Sequence, residues 1–183
     1  MKVTYMSEIK TQRLLLRPFR QGDAEAMFKN WTSDEDVARY CSWDAHKNPE
    51  DSQWLLDYYL EKAKDGFEYR WAVTEQGEDE PIGVVDVTEI TDAGKTAELG
   101  YVLAKRFWGR GYVTEAVSAV IEELFKCGFE KIIAVHHIDN PASGRVMEKC
   151  GMKFVGESSR KEKMFRDDMC TVRVYEITRG DVL

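Results

Sequence analysis

The hydrophobic and polar positions along this chain change period several times, and each change predicts an element. Gln12 to Pro18 alternates, with Arg13, Leu15 and Arg17 set against Leu14 and Leu16, which predicts a strand. Gly22-Asp23 breaks the alternation and opens a helix running to about Trp31, with Asp23 as its N-cap. Ser33 is placed to cap a second, short helix carrying Val37 and Tyr40, with Asp34, Glu35 and Asp36 in its first turn. Asn48-Pro49 starts a third helix, whose apolar stripe reads as Trp54, Leu55, Tyr58 and Tyr59 and whose end falls near Asp65-Gly66. Alternation then returns in Tyr69, Trp71 and Val73 and again in Ile82, Val84, Asp86 and Thr88, with the polar turn 76–81 between them. A second turn, Thr91 to Lys95, leads into a strand from Glu98 to Leu103, so three neighbouring antiparallel strands are expected.

The pattern then becomes helical. Val113, Ala116, Val117, Val120, Ile121, Leu124 and Phe125 form one stripe, predicting a long helix from about Gly111 to Cys127, closed by Gly128. Lys131 to Ile138 is rich in β-branched residues and, following a helix, predicts a parallel strand. Asn140-Pro141 starts another helix, which Gly151 stops. Phe154-Val155 opens a further strand, and Cys170 to Ile177 makes the last, joined through a turn at Arg166-Asp167-Asp168. Met1 to Ile9 shows no pattern and reads as a loose end.

Composition narrows the class. At 183 residues, without repeats or linkers, the chain is expected to be one domain spanning 1–183. Its 43% hydrophobic and 32% charged residues suit a soluble globular protein, and no apolar run or leader suggests a membrane or export; a cytoplasmic location follows as the expectation. Cys41, Cys127, Cys150 and Cys170 are scattered without metal-ligand spacing and read as reduced structural thiols, so no metal is expected. A formal charge of −7 speaks against general nucleic-acid binding.

The chemistry concentrates between the Glu98 strand and the long helix, in Arg106-Phe107-Trp108-Gly109-Arg110-Gly111-Tyr112. Two glycines and two arginines at a helix start make an anion site, because first-turn N–H groups lack intrahelical partners and the helix dipole favours negative charge. A P-loop would need Lys-Ser or Lys-Thr where Tyr112-Val113 stands, and a dinucleotide fingerprint would need a small residue at Thr114. A nucleotide-binding domain is therefore set aside.

Arg106-x-x-Gly109-x-Gly111 resembles the acetyl-CoA signature of the GCN5-related N-acetyltransferases, and Trp108 to Ala116 resembles their ribosomal-protein N-acetyltransferase (RimJ/RimL-like) branch. The element order is similar over nearly the whole chain. The resemblance implies the acyl-CoA N-acyltransferase fold, an α/β (α+β) architecture with a mixed sheet of about seven strands flanked by helices. It implies acetyl-CoA as co-substrate, with the pyrophosphate held by Arg106, Gly109, Arg110, Gly111, Tyr112, Val113 and Thr114. By the same resemblance, a kink in the Glu98 strand frees the backbone of Tyr101, Val102 and Leu103 for pantetheine and the thioester. Asn140 is similar to the residue that bonds the pantetheine arm, and Asn140-x-x-Ser143 brings Ser143 near the thiol. A homodimer is common in the family.

Direct transfer to an amine needs a group to take the amine's proton, a donor for the oxyanion and, in some enzymes, an acid for the thiolate. The resemblance makes Glu98 the base, directly or through water; Asp86 is the weaker candidate. Many relatives carry a tyrosine where this chain has Met147, so Ser143 is the candidate acid, or the thiolate leaves unprotonated. A glutamate that some members place before the sixth-strand glycine is absent, since Val155 precedes Gly156 and Glu157 follows it. His136 and His137 point to opposite sides of their strand, which leaves two readings, one of them turned to a cleft as a proton shuttle or both as structural side chains. Trp31, Trp43, Trp54 and Tyr40 are read as helix packing or as lining for the acceptor. Asp34, Glu35, Asp36 and Asp44 tilt the acceptor toward a cation, although a solvated helix face explains them as well. The expected activity is acetyl transfer to a primary amine, a protein N-terminus or a small molecule. A non-catalytic acyl-CoA sensor or partner-binding module is the alternative.

Overall fold

The computed structural model describes residues 7–64, 69–164 and 166–182. Of the loose start expected over Met1 to Ile9, residues 1–6 lie outside the described residues, as does the helix end at Asp65-Gly66, whereas Ile9 is not loose but paired in a strand. One eight-stranded mixed sheet runs through the molecule: β1 (Ile9–Lys10), β2 (Leu14–Arg17), β3 (Arg70–Glu75), β4 (Gly83–Thr91), β5 (Thr96–Leu103), β6 (Lys131–His137), β7 (Lys153–Lys161) and β8 (Met169–Thr178), in the spatial order β1-β2-β3-β4-β5-β6-β8-β7. The extra strand over the seven expected is β1, where Ile9 and Lys10 pair with Leu16 and Leu15. Two residues are too few to show alternation.

All neighbours are antiparallel except β5 and β6, the pair joined by a helical crossover. Their ladder is short. It runs from Thr96↔Lys131 to Leu99↔Ala134 and stops there. Residues 100–103 of β5 and 135–137 of β6 continue without pairing to each other, so the sheet splits. β4 stays paired with β5 throughout, with a register shift between Val87 and Glu89. The kink expected within the Glu98 strand thus sits on its partner, where Thr88 is the extra residue; Gly100 instead serves close approach, since a Cβ there would meet Asp86 Oδ1 and Thr88 Cγ2 at 3.0 Å.

Helices cover both faces. On one side α4 (Tyr112–Lys126) and α5 (Pro141–Lys149) pack on the sheet. Val117, Val120, Ile121 and Leu124 meet Leu99, Ile132 and Ala134 in a dry core, each buried aliphatic side chain contributing about 1.5–3 kcal/mol. On the other side lie α1 (Asp23–Met27), a π turn over Phe28–Thr32, α2 (Glu35–Ala38) and α3 (Pro49–Lys64), where Met27, Trp31 and Leu56 cover Ala72 and Val84.

Three local expectations change here. Gly22, at φ +95°, is the N-cap of α1, and Asp23 is its first helical residue. The Asp23 carboxylate is committed elsewhere, to both terminal nitrogens of buried Arg17 at 2.9 Å and to the Arg20 amide at 2.7 Å. Asp34 caps α2 through the amides of Asp36 and Val37, while Ser33 donates to Phe28 O. The inner face of α3 is Ser52, Leu55, Leu56 and Tyr59; Trp54 and Tyr58 stack on each other outside, Trp54 being 67% exposed. The Asn48 cap stands, with Asn48 Oδ1 accepting from the Asp51 amide at 3.1 Å.

Candidate active site

The mouth of the split is formed by the turn between β5 and α4. Gly109 and Gly111 adopt φ +74° and +78°, the left-handed region that side chains avoid, and Gly111 is the N-cap of α4 without any side-chain cap. Glu115 N donates to Gly111 O at 3.0 Å; among the described residues it is the first amide after Trp108 with a protein acceptor. The amides of residues 109–114 are thus left for an outside anion at the positive end of a 15-residue helix.

Side chains brace this turn from behind. Thr11 Oγ1 and the Arg13 amide donate to Glu115 Oε1 at 2.6 and 2.8 Å, while Arg13 Nε reaches Glu115 Oε2 at 2.7 Å. Burial works against charge on Glu115, but these hydrogen bonds outweigh it and hold the carboxyl below the ordinary glutamate range. Arg13 also donates to Arg110 O at 2.9 Å and lies over the Tyr112 ring, whose hydroxyl donates to Glu75. Arg106 turns away from the turn, giving Nη1 to Asn30 Oδ1 at 2.6 Å inside the π turn. Its side chain therefore anchors the loop. The Arg110 guanidinium stands over Phe107.

Deeper in the split, β5 alternates between the two helical layers. Tyr101 and Leu103 face α4 and α5, whereas Glu98, Gly100 and Val102 face α1 to α3. Asn140 caps α5 by accepting from the Ser143 amide at 3.4 Å, with Pro141 in the first turn. Ser143 is brought against Tyr101, whose hydroxyl lies 2.7 Å from Ser143 Oγ and 2.9 Å from Ser143 O. Met147 is wholly buried in the core. His136 is buried with Nδ1 on His137 O, and its Nε2 faces Gly144 of α5 without a hydrogen-bond partner. His137 lies on the opposite side, its ring 5.1 Å from that of Tyr40.

Two acids face the α1–α3 side of the split. Glu98 is held at two points by Arg160 of β7, at 2.7 and 2.6 Å. Asp86 takes Arg70 Nε at 3.0 Å; burial raises its pKa, with Arg70 opposing. The acidic cluster expected to draw a cation is largely spent within the fold. Asp36 bonds Lys105 and Arg39, Asp44 takes Arg166 at 2.9 Å, and Asp34 is a helix cap. Trp31 belongs to the core and Trp43 is half-buried beside His46.

Sequence reasoning missed the strap that joins the β7–β8 hairpin tip to the loop after α2. Lys163, only 8% exposed, donates to the carbonyls of Ala38, Arg39, Cys41 and Trp43 at 2.7, 3.3, 2.9 and 3.1 Å, and the Met164 amide donates to Ser42 O at 2.7 Å. Burial pushes the Cys41 thiol up to about 11 despite the nearby ammonium, so Cys41 is a packing residue. No periodicity marks a single lysine whose partners lie more than 100 residues away.

A mixed sheet that parts between two parallel strands, with an anion-ready helix start at its mouth, defines an acyltransferase fold. The chain belongs to the acetyltransferase (GNAT) domain family, which matches residues 13–153. It is 29% identical over 173 residues to the uncharacterized N-acetyltransferase YoaA of Bacillus subtilis, covering 93% of this chain and 96% of that one. A GNAT-family acetyltransferase of Bacillus anthracis has a similar crystal structure, with TM-score 0.80, 28% identity and coverage of 95% and 99%. RimL, a ribosomal L7/L12 alpha-N-protein acetyltransferase solved with coenzyme A, shares the fold at TM-score 0.79 and 18% identity, over 94% and 98% of the two chains. Among the described residues no helix is long and apolar enough to cross a membrane, and no three His, Cys, Asp or Glu are grouped to hold a metal.

Proposed function

We propose that this protein transfers an acetyl group from acetyl-CoA directly to a primary amine. The observation that carries the reading is the row of unpartnered amides at 109–114, on a glycine turn at the head of α4, beside the parting of β5 and β6. That turn suits a pyrophosphate: its charge meets N–H groups and a helix dipole, and the side chains of Arg13 and Glu115 hold the backbone in place from the far side. The unpaired edge of Tyr101, Val102 and Leu103 suits a pantetheine arm, with the Asn140–Ser143 turn across from it.

In this reading the amine attacks the thioester carbonyl from the α1–α3 side, where Glu98 and Asp86 lie. An amine must first lose a proton, and a protein α-amine at about 7.7–8.0 gives it up more readily than a lysine at about 10.4. Glu98 receives that proton through a water on Oε2, because Arg160 meets both carboxylate oxygens and Thr88 Oγ1 also donates to Oε1 at 3.4 Å. A backbone N–H of the split strand donates to the oxyanion, and Ser143 stands by the departing sulfur. The acceptor is a protein N-terminus or a small amine; Asp36 and Asp44, paired internally, are not free to draw it as a cation.

Incubating the protein with acetyl-CoA and a panel of α-amino peptides and small amines, with mass detection and a free-thiol assay, tests the proposal. Thiol release matched by acetylated amine is expected. Tight coenzyme A binding without release on any amine would instead favour a sensor.

A further inference from the structure

Ser143 opens the first turn of α5, and the side chain that reaches it comes from across the split. The β5–β6 ladder has already ended at Leu99↔Ala134, so the Tyr101 hydroxyl forms a polar link between β5 and α5 where the backbone makes none. Tyr101 Oη is within reach of both Ser143 oxygens but has a single hydrogen to give. Donated to the carbonyl, it leaves the Ser143 hydrogen turned back on Tyr101. Donated to Oγ, it leaves the Ser143 hydrogen free for a third group. Burial pushes the Tyr101 phenol up, with the Ser143 bond opposing, so the phenol keeps its hydrogen at neutral pH. Met147, buried and apolar, supplies no donor nearby.

We propose that Tyr101 is the positioning residue for Ser143: its hydroxyl donates to Ser143 Oγ and thereby aims the serine hydrogen at the coenzyme A sulfur. The inference rests on the coenzyme placement given above. As the carbon–sulfur bond breaks, its electron pair passes to sulfur, and the Ser143 O–H donates a hydrogen bond to the thiolate. The proton released by the amine, carried through solvent, completes the thiol. Nothing is oxidised or reduced.

The test uses coenzyme A itself, whose bound thiolate is followed by ultraviolet absorbance as pH is raised. A cysteine thiol in a peptide titrates at about 8.5, and the free coenzyme A thiol, an alkyl thiol without the flanking peptide carbonyl, titrates higher; its own value is taken from a parallel titration. In the wild-type complex the bound thiol is expected to titrate lower, because the serine donor favours its charged form. Ser143→Ala and Tyr101→Phe should each raise the bound thiol pKa by about one, and the double variant should go no higher than Ser143→Ala alone. A Tyr101→Phe complex that titrates as wild type does, or a double variant whose shifts add, overturns the proposal. Should Tyr101→Phe fail to fold, 3-fluorotyrosine at position 101 replaces it; its stronger donor should lower the bound thiol pKa, and no change overturns the idea equally. Failure of the wild-type protein to bind coenzyme A would sink the functional reading instead.

Discussion

Glu98 and Arg160, 62 residues apart in sequence, meet in a two-point ion pair with distances of 2.7 and 2.6 Å. The pair ties the last stretch of β7 to β5, the strand on which the proposed thioester site lies. The bond holds the Arg160 guanidinium above its usual range. Glu98→Gln should keep the shape of the contact, leave coenzyme A affinity unchanged and lower turnover by roughly a hundredfold if Glu98 takes the amine's proton. Turnover within twofold of wild type would exclude that role. Arg160→Met should cost about 1–2 kcal/mol in urea unfolding, less than a fully buried pair because the Arg160 side chain is 39% exposed.

Acid should act on the glycine turn at the head of α4 through Glu115. Its carboxyl titrates below the unfolded value, so the stability it provides is present above about pH 4.3 and is lost as pH falls through the folded value. Glu115→Gln should therefore lower the urea midpoint more at about pH 7 than at about pH 3.5. An equal loss at both pH values would show that the carboxylate charge is not what matters.

Lys163→Met keeps the stem and removes the ammonium, leaving the carbonyls of Ala38, Arg39, Cys41 and Trp43 without their shared donor. A loss of about 1–3 kcal/mol is expected. Hydrogen exchange should rise in 38–46 and 162–168 while α4 stays protected. Uniform loss of protection across the sheet would mean that the strap is not a local device.

Gly144→Ala places a methyl group 2.6 Å from His136 Nε2 in a closed part of the core. Overpacking of this kind costs about 1–3 kcal/mol, read as a lower melting temperature. Gly144→Ala with His136→Ala should recover part of it, since the second change opens the space. Additive losses would place the strain elsewhere.

Local periodicity carried much of this fold. The stripe on α4, the parallel strand after it, the Asn140 cap and the glycine turn are legible because each depends on neighbours within one or two turns of chain. The π turn at Phe28–Thr32 and the two-residue β1 are too short to leave a period. On α3 the weight of Trp54 and Tyr58 suggested the wrong face, because small Ser52 and Leu56 face inward while the aromatics stack outside. The site divides in the same way. Its backbone part, 101–114, lies along one stretch of sequence, whereas the partners of Glu98, Ser143 and Lys163 come from elements distant in the chain, where no spacing rule applies.

The brace formed by Thr11 and Arg13 has a practical consequence for handling the protein. Coenzyme affinity measured with a purification tag close to Thr11, or after proteolytic trimming past Arg13, would report on a turn that has lost its backing, although the cut lies about a hundred residues upstream of Gly109 and Gly111. A tag at the opposite end avoids that brace.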